Sequence, residues 1–205
     1  MLTDLSVEAF IDEVASSSPA PGGGSVSALA GALGAALVAM VARLTAGREG
    51  SGDDAQAILE RAEKLLASLR ERISEDTAAF NRVMEAYRLP KQTEEERQRR
   101  SRAIQEALLA AAQLPMSVAQ DCLEVMRLCE WAVRNGNPNA FSDAAVALQI
   151  ARSGLIGALY NVAINIEGLK DPEQRQLLAA KRKELQAEAD QIAGSLEELI
   201  ARRFG

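Results

Sequence analysis

Apolar positions recur at three- and four-residue intervals along most of the chain, and nowhere do they alternate at a spacing of two. The first spacing is that of one helix face and the second that of a half-buried strand, so the pattern predicts helices throughout. A short first helix follows Ser6, whose hydroxyl suits an N-cap, and ends near Ala15. Residues 16–25 then read as a Ser/Pro/Gly loop. A second helix spans about Val26 to Ala46. A third starts near Asp53 or Asp54 and reaches about Arg88, with Ile58, Leu65, Leu69, Ile73, Phe80 and Tyr87 on its apolar stripe. Thr93 and Glu96 form a capping box for a fourth, which runs to about Asn135 and is expected to kink or split at Pro115. Ser142 or Asp143 opens a fifth, lasting to about Glu167 with Gly168 as its C-cap. Asp171-Pro172 starts a last amphipathic helix, to about Arg203.

Two of these helices are unlike the rest. From Ser25 to Ala42 there is no charge, and the fifth helix has only Arg152 between Asp143 and Glu167. The length of the second approaches a membrane span. It is built mostly of Ala, Gly and Ser, however, with Ala28, Gly31, Gly34 and Ala35 offering a small-residue face for close helix contact. The expected architecture is therefore one all-α domain over residues 1–205, with no membrane segment. It is a single helical bundle in which two buried apolar helices are wrapped by longer amphipathic ones. Two such helices offer more apolar surface than their neighbours comfortably cover, so a symmetric homodimer is expected.

Composition narrows the chemistry. Aromatic residues make up only 3% of the 205, consistent with helices rather than strands. The formal net charge of −6 argues against nucleic acid as a partner. With no His at all, His triads, His metal sites and His acid–base catalysis are excluded, and no metal site is expected. Proton transfer falls to a carboxylate, Lys, Tyr, Cys or water. Cys122 and Cys129 sit seven apart, a spacing that suggests one helix face rather than a disulfide or metal framework. They read as small apolar residues in a reducing compartment. Residues 1–5 lack the basic region and apolar run of a signal peptide, so a cytoplasmic location is expected.

A few polar residues fall where apolar ones belong. Asp76 lies three beyond Ile73 and four before Phe80, on the apolar face of the third helix. A carboxylate there needs a partner or a function. Asp121, between Val118 and Val125, poses the same question. Asp143 suits either capping or catalysis. Asn161 and Asn165, one turn apart in the apolar fifth helix, suit either a neighbouring backbone or a ligand. Gly22-Gly23-Gly24-Ser25 enters a helix without the Lys of a phosphate-binding loop, and suits either an anion site or a turn. Arg97, Arg99, Arg100 and Arg102 follow three glutamates and read as a solvated helix face.

Together these features resemble the cyclodeaminase/cyclohydrolase family, which includes the C-terminal domain of formiminotransferase-cyclodeaminase and stand-alone methenyltetrahydrofolate cyclohydrolases. The resemblance lies in Pro21-Gly22-Gly23-Gly24-Ser25, Leu44-Thr45-Ala46-Gly47-Arg48, Asp76-Thr77-Ala78-Ala79-Phe80 and Arg88-Leu89-Pro90-Lys91. It continues in the run from Asn137 through Asn139 and Ser142 to Asp143, and in Gly157 to Asn165. These stretches come in family order over nearly the whole chain. The resemblance implies an all-helical, generally dimeric enzyme acting on one-carbon tetrahydrofolates. The folate derivative is then the substrate, with no separate cofactor. It implies Asp76 as catalytic acid/base and Asp143 close to the substrate. Gly22, Gly23, Gly24, Ser25, Arg48, Lys91, Asn137, Asn139, Ser142, Asn161 and Asn165 are then the candidates for substrate binding. The expected reaction is hydrolysis of methenyltetrahydrofolate, with cyclodeamination of formiminotetrahydrofolate as the alternative and a non-catalytic folate-binding or scaffold protein beyond that.

Overall fold

The computed structural model describes residues 1–47 and 54–205. After a 3-10 turn at Leu2–Asp4 come α1 (Val7–Ala15), α2 (Gly23–Ala46), α3 (Asp54–Arg88) and α4 (Glu94–Asn135). A second 3-10 turn at Pro138–Ala140 leads into α5 (Phe141–Glu167), and α6 (Pro172–Phe204) ends the chain. No strand occurs among the described residues. The start signals operate as read for three helices. Ser6 accepts from the Ala9 amide at 3.1 Å, Thr93 and Glu96 close a capping box, and Asp171 accepts from the Glu173 and Gln174 amides.

Three boundaries differ from expectation, each for a local reason. α2 begins at Gly23, so the glycines expected in the loop form its first turn. Its amides are capped from another helix, as described below. α5 begins at Phe141 after Ala140, so neither Ser142 nor Asp143 is its cap. The turn before it is capped instead by Asn137, which accepts from the Asn139 amide at 3.0 Å. Pro115 does not split α4, which is continuous from Glu94 to Asn135. A proline removes the amide that would bond the carbonyl four residues earlier. Here that carbonyl belongs to Ala111, and it receives the Asn165 side-chain amide of α5 at 2.7 Å.

α2 lies between α3 and α5 and antiparallel to both. Ser25 meets Asp76 while Arg43 pairs with Glu63, and Gly23 adjoins Asn161 while Thr45 meets Asn137. The α2–α5 contact is close enough to exclude side chains. A Cβ on Gly154 would lie 2.8 Å from the Ser27 carbonyl oxygen and 3.0 Å from the Gly31 nitrogen. Leu69, Val38, Val41, Met126, Leu148 and Leu155 are fully buried around this axis. Cys122 and Cys129 are buried in the same core as free thiols, and desolvation pushes both up to about 12.

Polar contacts fasten the amphipathic helices outside. Asp121 takes Ser68 at 2.8 Å and Arg72 at 3.0 Å across α3 and α4. Arg152, the lone cation of α5, takes Asp190 of α6 at 2.9 Å. Burial of the two apolar helices is one-sided. Val26, Leu33 and Leu44 of α2 and Val146, Tyr160 and Ile164 of α5 are exposed, and α1 contributes no buried residue. By length and composition α2 and Pro138–Glu167 would each cross a membrane, yet the most apolar stretch of α2 is 61% buried within the bundle.

Candidate active site

The first turn of any helix presents amides with no intrahelical acceptor, and Gly22, at the N-cap of α2, has no side chain to offer. The acceptor comes from α3. Asp76 Oδ2 receives the Ser25 amide at 3.0 Å. The Ser25 hydroxyl lies 3.2 Å from the same oxygen and donates to the Ile73 carbonyl at 2.8 Å. The carboxylate can come this close because position 24 is glycine. A Cβ there would sit 2.1 Å from Asp76 Oδ1. From the other side, Asn161 of α5 faces Gly23, its Nδ2 being 3.4 Å from where a Gly23 Cβ would lie. That amide donates to Gly157 in its own helix at 2.9 Å. The Ser27 hydroxyl donates to the Gly23 carbonyl at 2.6 Å and occupies space that a Cβ on Gly157 would fill. Sequence reading passed over Ser27 and gave Gly157 no role beyond opening a family-like stretch; their signal is a pair of small residues on the facing sides of two apolar helices.

Asp76 is half-buried, and desolvation raises its pKa above the ordinary carboxylate value; the hydrogen bonds from the Ser25 hydroxyl and amide act in the opposite direction. Oδ1 has no hydrogen-bond partner among the described residues. The arrangement is a fixed carboxyl group with one oxygen anchored and one available, biased toward exchanging a proton at higher pH than an exposed aspartate.

The other candidates divide clearly. Asn165 and Asp121 have structural partners, the Ala111 carbonyl and the Ser68–Arg72 pair respectively. Asn137 donates through its amide to Thr45 at 2.9 Å and through Nδ2 to the Leu44 carbonyl at 3.2 Å, tying the end of α2 to the start of α5. Asn139 and Ser142 are exposed and Asp143 is half-buried in the same region. Asp143 has no side-chain partner among the described residues. This group sits at the opposite end of α2 from Asp76. At 1.5 Å per residue the separation along the helix is roughly 30 Å, so Asp76 and Asp143 do not share a site within one chain. Lys91 is exposed beyond the end of α3, and Arg48 lies outside the described residues. No group of three or more acidic or Cys residues gathers as a metal site among the described residues.

A large cavity lies elsewhere again. It is an apolar groove of about 960 Å³ between α1 and the α2–α3 face, walled by Phe10, Val26, Leu29, Leu33, Leu66 and Ile73. It holds no carboxylate suited to catalysis, and Ile73 brings it within one turn of Asp76.

A carboxylate capping the glycine-opened helix of an antiparallel bundle defines a class of all-helical, His-free site built around one carboxyl group. The comparisons with known proteins place the chain more narrowly. Residues 6–184 match the family described as formiminotransferase-cyclodeaminase, and the chain belongs to that family. It is 42% identical over 203 residues to a methenyltetrahydrofolate cyclohydrolase of Methylorubrum extorquens, covering 98% of this chain and 96% of that one. It is 35% identical to the formimidoyltransferase-cyclodeaminase of Rattus norvegicus, over 96% of this chain and 38% of that longer protein. The crystal structure of a formiminotetrahydrofolate cyclodeaminase from Thermotoga maritima superposes with a TM-score of 0.89 at 28% identity, each chain covered completely. The expected all-α bundle and the family resemblance are both borne out.

Proposed function

We propose that this protein hydrolyses methenyltetrahydrofolate to formyltetrahydrofolate, with Asp76 as general acid and base. The observation that carries the reading is the Asp76 carboxyl itself, anchored by Ser25 against Gly24, raised in pKa, with Oδ1 uncommitted. The substrate carries an amidinium carbon between two nitrogens. Asp76 takes a proton from water as the water oxygen bonds to that carbon. The same carboxyl then gives that proton to one nitrogen as its bond to carbon breaks, and the adduct's hydroxyl loses its own proton to solvent as the formyl C=O forms on the other nitrogen. The ionised carboxylate also stabilises the cation before attack. No cofactor is required. Asn161, facing Gly23, is placed to hydrogen-bond the substrate, and the anionic glutamate tail falls to the glycine turn, Arg48 or Lys91.

The full-length likeness to a cyclohydrolase puts hydrolysis ahead. The likeness to two cyclodeaminases supports a second activity through a related adduct, in which a folate nitrogen attacks the formimino carbon and ammonia leaves. Purified protein assayed on both folates, with spontaneous hydrolysis subtracted, decides between them. Turnover of neither would leave a folate-binding or scaffold role.

The proposed enzyme is a cytoplasmic homodimer. The uncovered stripe of α2 favours a second copy over lipid or nucleic acid as the covering surface, because the stripe is apolar and the chain carries a net charge of −6. If the two copies of α2 run antiparallel, the Asn137–Asp143 end of one comes beside the Gly23–Asp76 end of the other. Asn139, Ser142 and Asp143 would then reach the substrate.

A further inference from the structure

The Ile73 carbonyl of α3 accepts from two helices. A carbonyl oxygen has two lone pairs. In a continuous helix one of them receives the amide four residues on, here that of Thr77. The other receives the Ser25 hydroxyl of α2 at 2.8 Å. Thr77 is thereby denied the bond that a threonine inside a helix commonly makes, from its own hydroxyl to the carbonyl four residues back. Its Oγ1 is buried and has no hydrogen-bond partner. An unmet buried hydroxyl is costly, and this one is next in the chain to Asp76.

Ser25 has one hydroxyl proton and two acceptors for it, the Ile73 carbonyl at 2.8 Å and Asp76 Oδ2 at 3.2 Å. Which of them it serves depends on the state of Asp76. Against a protonated carboxyl the shorter bond to Ile73 prevails. An ionised carboxylate draws the hydroxyl more strongly, because a bond to a charged oxygen is roughly twice as strong as a neutral one. That turn of Ser25 vacates a lone pair of Ile73. Rotation of Thr77 about χ1 then fills it, with neither backbone moving. We infer that Ser25 and Thr77 exchange places on the Ile73 carbonyl as Asp76 loses and regains its proton, which makes Thr77 a positioning residue for the acid–base group. One hydroxyl is unmet while Asp76 holds the proton, and none once it has left, so the exchange favours the ionised form. The inference rests on the reading of Asp76 as general acid and base. The segments packed around this face carry no charge: residues 16–42, 107–120 and 153–166 contain no Asp, Glu, Lys or Arg, and Tyr160 is exposed. On α3 itself Arg72, one turn back, is paired with Asp121, and Glu75 is exposed.

The test reads Asp76 directly. Carbon-13 in the aspartate carboxyls gives an NMR titration with no substrate present, and the Asp76 signal is the one lost in Asp76→Asn. Thr77→Val keeps the shape and removes the hydroxyl. It raises the Asp76 midpoint by roughly 0.5–1 pH unit, the worth of one hydrogen bond. Thr77→Ser restores the native value, and Thr77→Ala repeats the shift should valine not be accommodated. The acid limb of kcat/KM for methenyltetrahydrofolate moves with the midpoint. A merely structural Thr77 would leave both where they are. In a Ser25→Ala background the Ile73 carbonyl is open to Thr77 in both states of Asp76, so Thr77→Val no longer moves the midpoint. An unshifted midpoint in Thr77→Val and Thr77→Ala overturns the exchange. So does an equal shift with and without the Ser25 hydroxyl. A midpoint that shifts as expected in a protein turning over neither folate upholds the exchange and overturns the catalytic reading of Asp76 beneath it.

Discussion

Asp76 serves two masters at the residue scale: the open amide of Ser25 and whatever reacts at Oδ1. The two roles separate under Asp76→Asn. An asparagine oxygen still accepts from Ser25, so the helix start survives, while proton exchange is lost. Turnover of methenyltetrahydrofolate should fall by about 10²–10⁴-fold, with cooperative thermal unfolding retained. A folded variant of undiminished rate on both folates would remove Asp76 from the mechanism. A pH series gives an independent reading. Burial raises the folded pKa, so the native fold keeps a proton that the unfolded chain has lost above about 3.9. The group's stabilising contribution is therefore complete below that value and declines as pH rises through the raised one. Asp76→Asn, which does not titrate, should gain on the native protein across that window in urea unfolding followed from acid to neutral pH. A constant difference would show that the carboxyl is not desolvated. Helical spacing alone exposed this residue, because a charge on an apolar stripe breaks the pattern. Its acceptor role was not legible, since the donor is a backbone amide 51 positions away. For the same reason the start of α2 was placed too late.

At the scale of elements, the two asparagines of α5 show what periodicity leaves open. Both lie on a helix that is otherwise apolar, and spacing treats them alike. Asn161 reaches the glycine turn, whereas Asn165 fills the gap made by Pro115 in α4. The proline was legible as a defect in α4, but its remedy sits on another helix and only the packed bundle pairs them. Asn165→Ala should leave the Ala111 carbonyl unmet and cost about 1–3 kcal/mol. Pro115→Ala restores the missing amide within α4. In that background Asn165→Ala should cost less, with a coupling of about 0.5–3 kcal/mol measured from denaturant unfolding of the four proteins. Additive losses would mean that the Asn165 bond does not repair the helix.

The whole molecule leaves one surface unexplained by a single chain. Val26, Leu33 and Leu44 form an outward stripe along α2, and the groove beneath α1 adds Phe10 and Leu29 to the same side. The sequence showed α2 to be uncharged from Ser25 to Ala42, with more apolar surface than its neighbours cover. One chain has only enough helices to cover its inner face. The two ends of α2 also hold different halves of the candidate residues, Asp76 with the glycine turn and Asp143 with Asn139. A second copy packed along α2 in the opposite direction would solve both problems at once. Leu33 is 48% exposed and central in the stripe, so a charge there should cost the fold little and the association much. The native chain should scatter light as a dimer of 21.9 kDa units at micromolar concentration, and Leu33→Glu as the monomer, with helical circular dichroism preserved in both. Turnover should disappear with the dimer. A monomeric Leu33→Glu that retained native kcat and KM would mean that one chain holds a complete site. Asp143, some 30 Å away along the bundle, would then have no part in it.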